Sequence, residues 1–246
     1  MQPPVDELEF GPLRAPRAEP KTLPHQTIAD RTRRMYDLLA GVYPASTYFF
    51  HSNAHQSALA MSGLADGMRV LEVATGSGEV FRRLVGVNPN GSTVGLDLSP
   101  NMAAKTQREV MRDFPGVCAQ CKAVDARFMP FRDSSFDAVM CCYLLELLSC
   151  DDIVITLQEI HRVLRPRGTF TLVLIGQNTD FFNRMYKVGG AIAPAFWGRQ
   201  VEERIPDLIE QLDFRISEQH HVRPVSYTHL RAHETKANLV CRLLLE

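Results

Sequence analysis

No stretch of this chain of 246 residues approaches the roughly 20 consecutive apolar residues that cross a bilayer. Its first residues also lack the apolar centre of a secretory leader. The expected address is the cytoplasm, with at most peripheral contact with a membrane. Nor is one sign of charge in excess. With 27 Lys and Arg against 28 Asp and Glu, the formal net charge is −1, so nothing draws the chain generally to nucleic acid and no such partner is expected. The six cysteines do not complete a metal site. Cys118-Ala-Gln-Cys121 has no second pair and no His-x-x-x-His nearby, so no metal is expected. That pair reads as reduced thiols in or beside a strand, and Cys141-Cys142, set in an apolar run, as small core hydrophobes. A composition of 45% hydrophobic and 22% charged residues suits a globular protein with one sizeable core plus appendages.

One stretch organises the rest. Arg69-Val-Leu-Glu-Val-Ala-Thr-Gly-Ser-Gly-Glu79 begins as a short apolar run and breaks into small residues. It continues into the amphipathic Val80-Phe-Arg-Arg-Leu-Val85. This reads as a buried parallel strand, a tight turn and a helix N-terminus. Gly76 and Gly78 permit positive φ and close approach of a ligand, and free amides at the helix start favour an anionic or polar group. A second strand, Ser92–Leu96, ends in Asp97, where a carboxylate is placed to accept from a ribose diol. Ser99-Pro100 then supplies an N-cap and a first helical residue. The third glycine of the dinucleotide fingerprint is missing, and an acid, Glu72, stands inside the first strand.

Further strands are expected at Val117–Ala123, at Ser135–Cys142, whose near-continuous apolar run suits a central parallel strand, at Thr169–Ile175 and at Phe214–His221. Helices are expected over Thr27–Leu39, Ala54–Ser62, Pro100–Asp113 and Glu202–Leu212. Another follows Ser149 or Asp151 as cap, with Ile153, Leu157, Ile160 and Leu164 as its apolar stripe. It stops at Arg165-Pro-Arg-Gly168. Residues 1–24 are proline-rich with little apolar periodicity and read as a disordered tail.

Glu72-x-Ala-x-Gly-x-Gly, Val-Gly-Leu-Asp97-Leu-Ser, Asp125-Ala126 after the third strand, Phe-Asp-x-Val before Cys142, and Glu-Ile-His-Arg-Val-Leu-Arg-Pro-Arg-Gly-Thr together resemble the class I S-adenosylmethionine-dependent methyltransferases. The Tyr36-Asp37 pair resembles the N-terminal cap of the ubiquinone/menaquinone type. The resemblance implies an α/β, Rossmann-like three-layer α/β/α sandwich with a mainly parallel seven-stranded sheet and a helical cap. Residues 25–225 form the methyltransferase domain, with the cap at 25–65 and a substrate-side insertion at 176–200. It implies S-adenosylmethionine as cofactor, held by Glu72, Ala74, Gly76, Gly78, Asp97, Leu98, Asp125, Ala126 and Cys142. Glu72 serves the methionine ammonium, Asp97 the ribose and Asp125 the adenine amine. Ala74 replaces the usual first glycine, and Arg167-Gly168 the usual Gly-Gly.

The implied reaction is methyl transfer to a small-molecule acceptor. Tyr36, His51, His55 and Tyr143 are the candidates for a general base. Phe128, Met129 and Phe131 read mostly as core, and His161 as structural. The Tyr-Asp cap and the aromatic residues of Gln177–Arg199 favour a quinone-like or lipid-like acceptor. Leu144-Leu-Glu-Leu147 departs from the Gly-x-Arg-Asn-like turn of the quinone enzymes, which keeps a phospholipid amine or another small metabolite open, as well as a non-catalytic cofactor-binding accessory role. Residues 226–246 resemble translated sequencing-adapter read-through. The strand that the family places near Tyr227 is not legible in Thr228-His-Leu-Arg-Ala-His-Glu-Thr235, which lacks two-residue alternation. No function is expected of His229, His233 or Cys241.

Overall fold

A computed structural model describes residues 54–175, 205–222 and 227–234. Of residues 175, 221, 222 and 227–234 it describes the backbone alone. The expected helix at Thr27–Leu39, the aromatic stretch Tyr43–His51 and the insertion Gln177–Arg199 lie outside the described residues, as do residues 1–24 and 235–246.

The chain alternates strand and helix, the pattern that builds a parallel sheet covered on both faces. Residues 54–61 are helical (α1). There follow β1 (Arg69–Val73), α2 (Glu79–Val87), β2 (Ser92–Asp97), α3 (Pro100–Asp113), β3 (Cys118–Ala123), β4 (Phe136–Cys142), a 3₁₀ turn (Leu145–Leu147), α4 (Cys150–Val163), β5 (Leu164–Ile175), α5 (Ile205–Gln211), β6 (Phe214–Val222) and β7 (Tyr227–Glu234). The sheet order is β3-β2-β1-β4-β5-β7-β6. The first five strands of that order run parallel, and β7 pairs antiparallel with both β5 and β6. After β3 the chain crosses over β1 to lay down β4. That reversal of winding opens a crevice at the C-terminal ends of β1 and β4, where ligands bind in such sheets.

The strand period sorts side chains to two faces. Leu71, Val73, Val139 and Cys141 point to one side, where Ile153, Leu157 and Ile160 of α4 and Ile205 and Ile209 of α5 cover them. Val70, Ala138, Met140 and Cys142 point to the other, under Val80 and Leu84 of α2 and Ala58 of α1. Phe81 and Val85 of α2 extend that layer to Ala103 and Val110 of α3 and to Ala119 and Cys121 of β3. Met129 and Phe131 are buried core residues, as expected. Of the two expected caps for α4, Ser149 acts: its Oγ accepts from Asp152 N at 3.1 Å.

The edge of the sheet away from the crevice is closed by side-chain clamps. Asn88, fully buried, accepts from Gly67 N and Met68 N at 2.9 and 3.1 Å and donates to Met68 O at 2.9 Å. It thereby holds the entry to β1. Arg162 donates to Phe131 O and Met129 O and pairs with Asp133 and Glu159, which fixes the loop before β4.

Two expectations are corrected. β5 begins at Leu164 and not at Thr169, because Leu164 pairs with Phe136 and Thr169 with Ala138. Arg165-Pro-Arg-Gly168 is then an irregularity inside the strand, and Arg167, standing where the family carries glycine, takes φ 67. Tyr227–Glu234, polar by sequence, is nevertheless β7. Its backbone pairs from Tyr227 opposite Ile175 to His233 opposite Thr169. Two flanking strands supply the ladder, and tertiary pairing of this kind overrides local preference.

Candidate active site

The turn after β1 is tied to its neighbours by its own backbone. Thr75 N donates to Leu96 O at 2.9 Å and Gly78 N to Thr75 O at 2.8 Å. Ala74, Gly76 and Gly78 take φ of 68, 50 and 80. A Cβ on Gly76 would meet nothing within 4 Å, so the space beside it is open, whereas one on Gly78 would stand 2.7 Å from Thr106 Oγ1 of α3. Gly78 is the N-cap of α2 and brings no side-chain cap, which leaves first-turn amides available to a ligand.

Three acids stand at or near the C-terminal ends of the first three strands. Glu72 of β1 is 1% exposed, and its Oε2 has no hydrogen-bond partner among the described residues. Burial holds its carboxyl well above the usual range, and the nearby charges of Asp97 and Glu79 push the same way. A buried acid without a cation is costly. Asp97, at the tip of β2, is likewise buried. Its Oδ2 accepts from Gly76 N at 2.7 Å and from Thr75 Oγ1 at 3.5 Å, and its Oδ1 accepts from Ser99 N at 2.8 Å. Asp97 therefore joins the turn after β1 to the loop after β2. Asp125, after β3, is gripped by Arg127, whose Nε and Nη2 donate to its two oxygens at 3.0 and 2.6 Å.

A second group of polar side chains lies beside the end of β4. Tyr143 takes φ 57, its N donates to Val173 O at 3.0 Å, and its half-buried ring packs on the layer formed by α1 and α2. The His55 ring of α1 is 5.6 Å from it, centroid to centroid. His55 Nδ1 is 3.3 Å from Glu79 Oε2, within ion-pair range when the imidazole is protonated but angled off a straight hydrogen bond. Burial raises the Glu79 carboxyl, yet His55 and Arg83 together bring it below its ordinary value. Arg83 Nη2 reaches Glu79 at 2.8 Å. The structure thus brings His55 and Tyr143 together, while Tyr36 and His51 lie outside the described residues.

Of the other expected contacts, Cys142 is buried at the end of β4. Leu98 and Ala126 are half-buried in the loops after β2 and β3. His161, in the last turn of α4, packs edge-on against Phe214 at 5.0 Å, which suits a structural role. No group of His, Cys, Asp and Glu among the described residues is arranged to hold a metal ion. Sequence reasoning missed Thr75, Glu79 and Arg127. Arg127 was findable from its place two residues after Asp125, a local spacing that favours a side-chain pair. Glu79 was findable as an acid in a first helical turn.

Residues 70–168 match the family model described as a methyltransferase domain. The chain is 31% identical to the ubiquinone/menaquinone biosynthesis C-methyltransferase of Desulfotalea psychrophila over 55% of this chain and 54% of that one. It is 26% identical to the demethylmenaquinone methyltransferase of Symbiobacterium thermophilum over 79% of this chain and 74% of that one. It spans about half to two thirds of the length of several curated relatives that it matches. Among solved structures, the N-methyltransferase NodS of Bradyrhizobium japonicum, in complex with S-adenosyl-L-homocysteine, superposes with a TM-score of 0.68 at 13% identity. That match covers 84% of this chain and 100% of that one, a likeness of fold. Glycine turn, acid-tipped strands, sheet order and family match agree: residues 70–168 match a methyltransferase domain, on a fold shared with solved S-adenosylmethionine-dependent methyltransferases.

Proposed function

We propose that the chain transfers a methyl group from S-adenosylmethionine to a small, quinone-like acceptor bound beside the end of β4. The observation that carries the cofactor half is Glu72, buried and without a cationic partner among the described residues, next to an uncapped helix N-terminus. Glu72 would hold the ammonium group, Asp97 the ribose hydroxyls and Asp125 the adenine amine. The bound cofactor supplies a methyl group already made electrophilic by its sulfonium. The protein's own work is then alignment of the acceptor and exclusion of water.

For an acceptor that gives up a proton, His55 and Tyr143 are the expected bases that lie beside the end of β4 among the described residues. Glu79 Oε2 stands 3.3 Å from His55 Nδ1 and orients the ring. The quinone-like class is supported by the names of several relatives, which are quinone methyltransferases. A second reading, transfer to an amine, is favoured by one observation. Glu146, an acid only 2% exposed, stands in the 3₁₀ turn after β4, where the quinone enzymes carry a Gly-x-Arg-Asn-like sequence.

The test is titration with S-adenosylhomocysteine, followed by incubation with methyl-labelled S-adenosylmethionine and either a hydroxylated naphthoquinol or an aminophospholipid, with product mass read by spectrometry. Label on a ring carbon or oxygen of the quinol supports the first reading, and label on nitrogen replaces it by the second. Binding without transfer to any acceptor in cell extract refutes both and leaves an accessory role.

A further inference from the structure

We infer that Arg127 sets the adenine specificity of the crevice as a positioning residue: it clamps Asp125 against a second acid, Asp152, so that one carboxylate edge stays turned toward an exocyclic amine. This rests on the cofactor reading above. Asp125 is tightly held. Its Oδ1 accepts from Arg127 N at 2.9 Å and from Arg127 Nε at 3.0 Å. Its Oδ2 accepts from Nη2 at 2.6 Å and from the shared Nε at 3.2 Å. Because Nε lies nearer Oδ1, the spare acceptor capacity of the four lone-pair sites is on Oδ2. The carboxylate is also reachable, with its side chain 27% exposed against 18% for Arg127.

Arg127 is itself held from a third direction. Nη1 donates to Asp152 Oδ1 at 2.8 Å, and Asp152 is fixed at the start of α4, where its N donates to Ser149 Oγ. The guanidinium also lies over the Phe128 ring, 5.7 Å from its centroid. One cation between two acids leaves a net negative charge, so Asp125 stays an effective acceptor despite its partner. The two hydrogen-bonded acids raise the Arg127 guanidinium further above its already high range, so it is charged at every working pH. A carboxylate pinned in this way can only accept. It favours the amine of adenine and repels the carbonyl oxygen that hypoxanthine presents at the same position.

The experiment is calorimetric titration of the full chain and two variants, Arg127→Met and Asp152→Asn, with S-adenosylhomocysteine and with its deaminated analogue S-inosylhomocysteine. The parent is expected to prefer the adenine form by about a hundredfold, the worth of a charge-assisted bond gained against one repelled. Arg127→Met should narrow that ratio to about tenfold or less, and Asp152→Asn, which leaves the fork on Asp125 in place, by about threefold. A merely structural role would lower both affinities together and keep the ratio, and that result overturns the inference. Should Arg127→Met melt before it can be titrated, the ratio in Asp152→Asn decides alone. Failure of the parent to bind S-adenosylhomocysteine overturns the cofactor reading itself, which separates the two failures.

Discussion

Replacing Asp97 by Asn tests the centre of the crevice, and the structure sets the expected size of the effect. Asp97 is 8% exposed and accepts from Gly76 N at 2.7 Å and Ser99 N at 2.8 Å. Asn retains one carbonyl oxygen. Its amide nitrogen must face one of those two backbone donors, so one charge-assisted bond is lost and the other becomes neutral. Losing one such bond costs about 1.5–3 kcal/mol. At about 2–4 °C per kcal/mol for a chain of this size, the ligand-free melting temperature should fall by about 3–12 °C. Affinity for S-adenosylhomocysteine should fall about ten- to a hundredfold, because the hydroxyl-accepting charge and the geometry of Gly76 are lost together. The assay is thermal melting with calorimetric titration, and exposed Asp151 is the control. Asp113 is unsuitable as a control because it pairs with Arg82 at 2.6 Å and Arg112 at 2.7 Å. Unchanged binding and unchanged melting in Asp97→Asn would refute both the ribose role and the claim that this acid braces the turn.

Four further outcomes are expected. Glu72 has a native carboxyl held above its ordinary value of 4.5, so its contribution to ligand-free stability is full below that value and is lost as pH rises through the native one. Glu72→Gln should flatten that fall in melting temperature while weakening S-adenosylhomocysteine binding. In the parent, binding should release a proton and tighten as pH rises over the same window; a pH-independent affinity argues against an ammonium partner. Asn88→Ala, which strands Gly67 N and Met68 N at the far edge of the sheet while Met68 O keeps Ser92 N, should cost about 2–4 kcal/mol in denaturant unfolding and spare cofactor affinity. Ala74→Gly should raise the melting temperature by relieving φ 68, worth about 1 kcal/mol; a lower melting temperature would show that the Ala74 methyl group packs usefully. In a thermal-shift series S-adenosylhomocysteine should stabilise the protein and NAD should not, since the pyrophosphate of NAD would lie against Glu72 and Asp97; stabilisation by NAD alone overturns the cofactor assignment.

The central parallel strand was legible because burial on both faces demands an apolar run, and Ala138–Cys142 is one. The glycine turn and the acids that follow β1, β2 and β3 were legible from order and spacing. What stayed hidden has a common physical cause: it depends on partners far apart in the chain. Arg165-Pro-Arg-Gly168 looks like a loop, and only the pairing of Leu164 with Phe136 makes it part of a strand. β7 has no pattern of its own and takes its form from β5 and β6. His55 and Glu79 are polar positions on separate helices, and nothing local shows that they meet at 3.3 Å. For Arg127, the Asp125 half of the clamp was within reach of sequence, but Asp152 lies 25 residues away.

The distribution of satisfied and unsatisfied polar groups along the sheet now bears on function. At the edge where β1 and β4 begin, Asn88 and Arg162 bond the backbone groups of the entering loops. At the opposite edge Glu72 keeps a buried oxygen without a partner among the described residues, and α2 starts without a side-chain cap. Each of these is unfavourable to the ligand-free fold. They converge on one crevice, which a ligand with an ammonium group for Glu72 and a carboxylate for the amides of α2 would satisfy. An amino-acid end carries both charges, whereas a dinucleotide offers its pyrophosphate to the amides but no ammonium to Glu72. The local defects of this edge therefore argue for the methionine half of the cofactor independently of the glycine pattern that first suggested it.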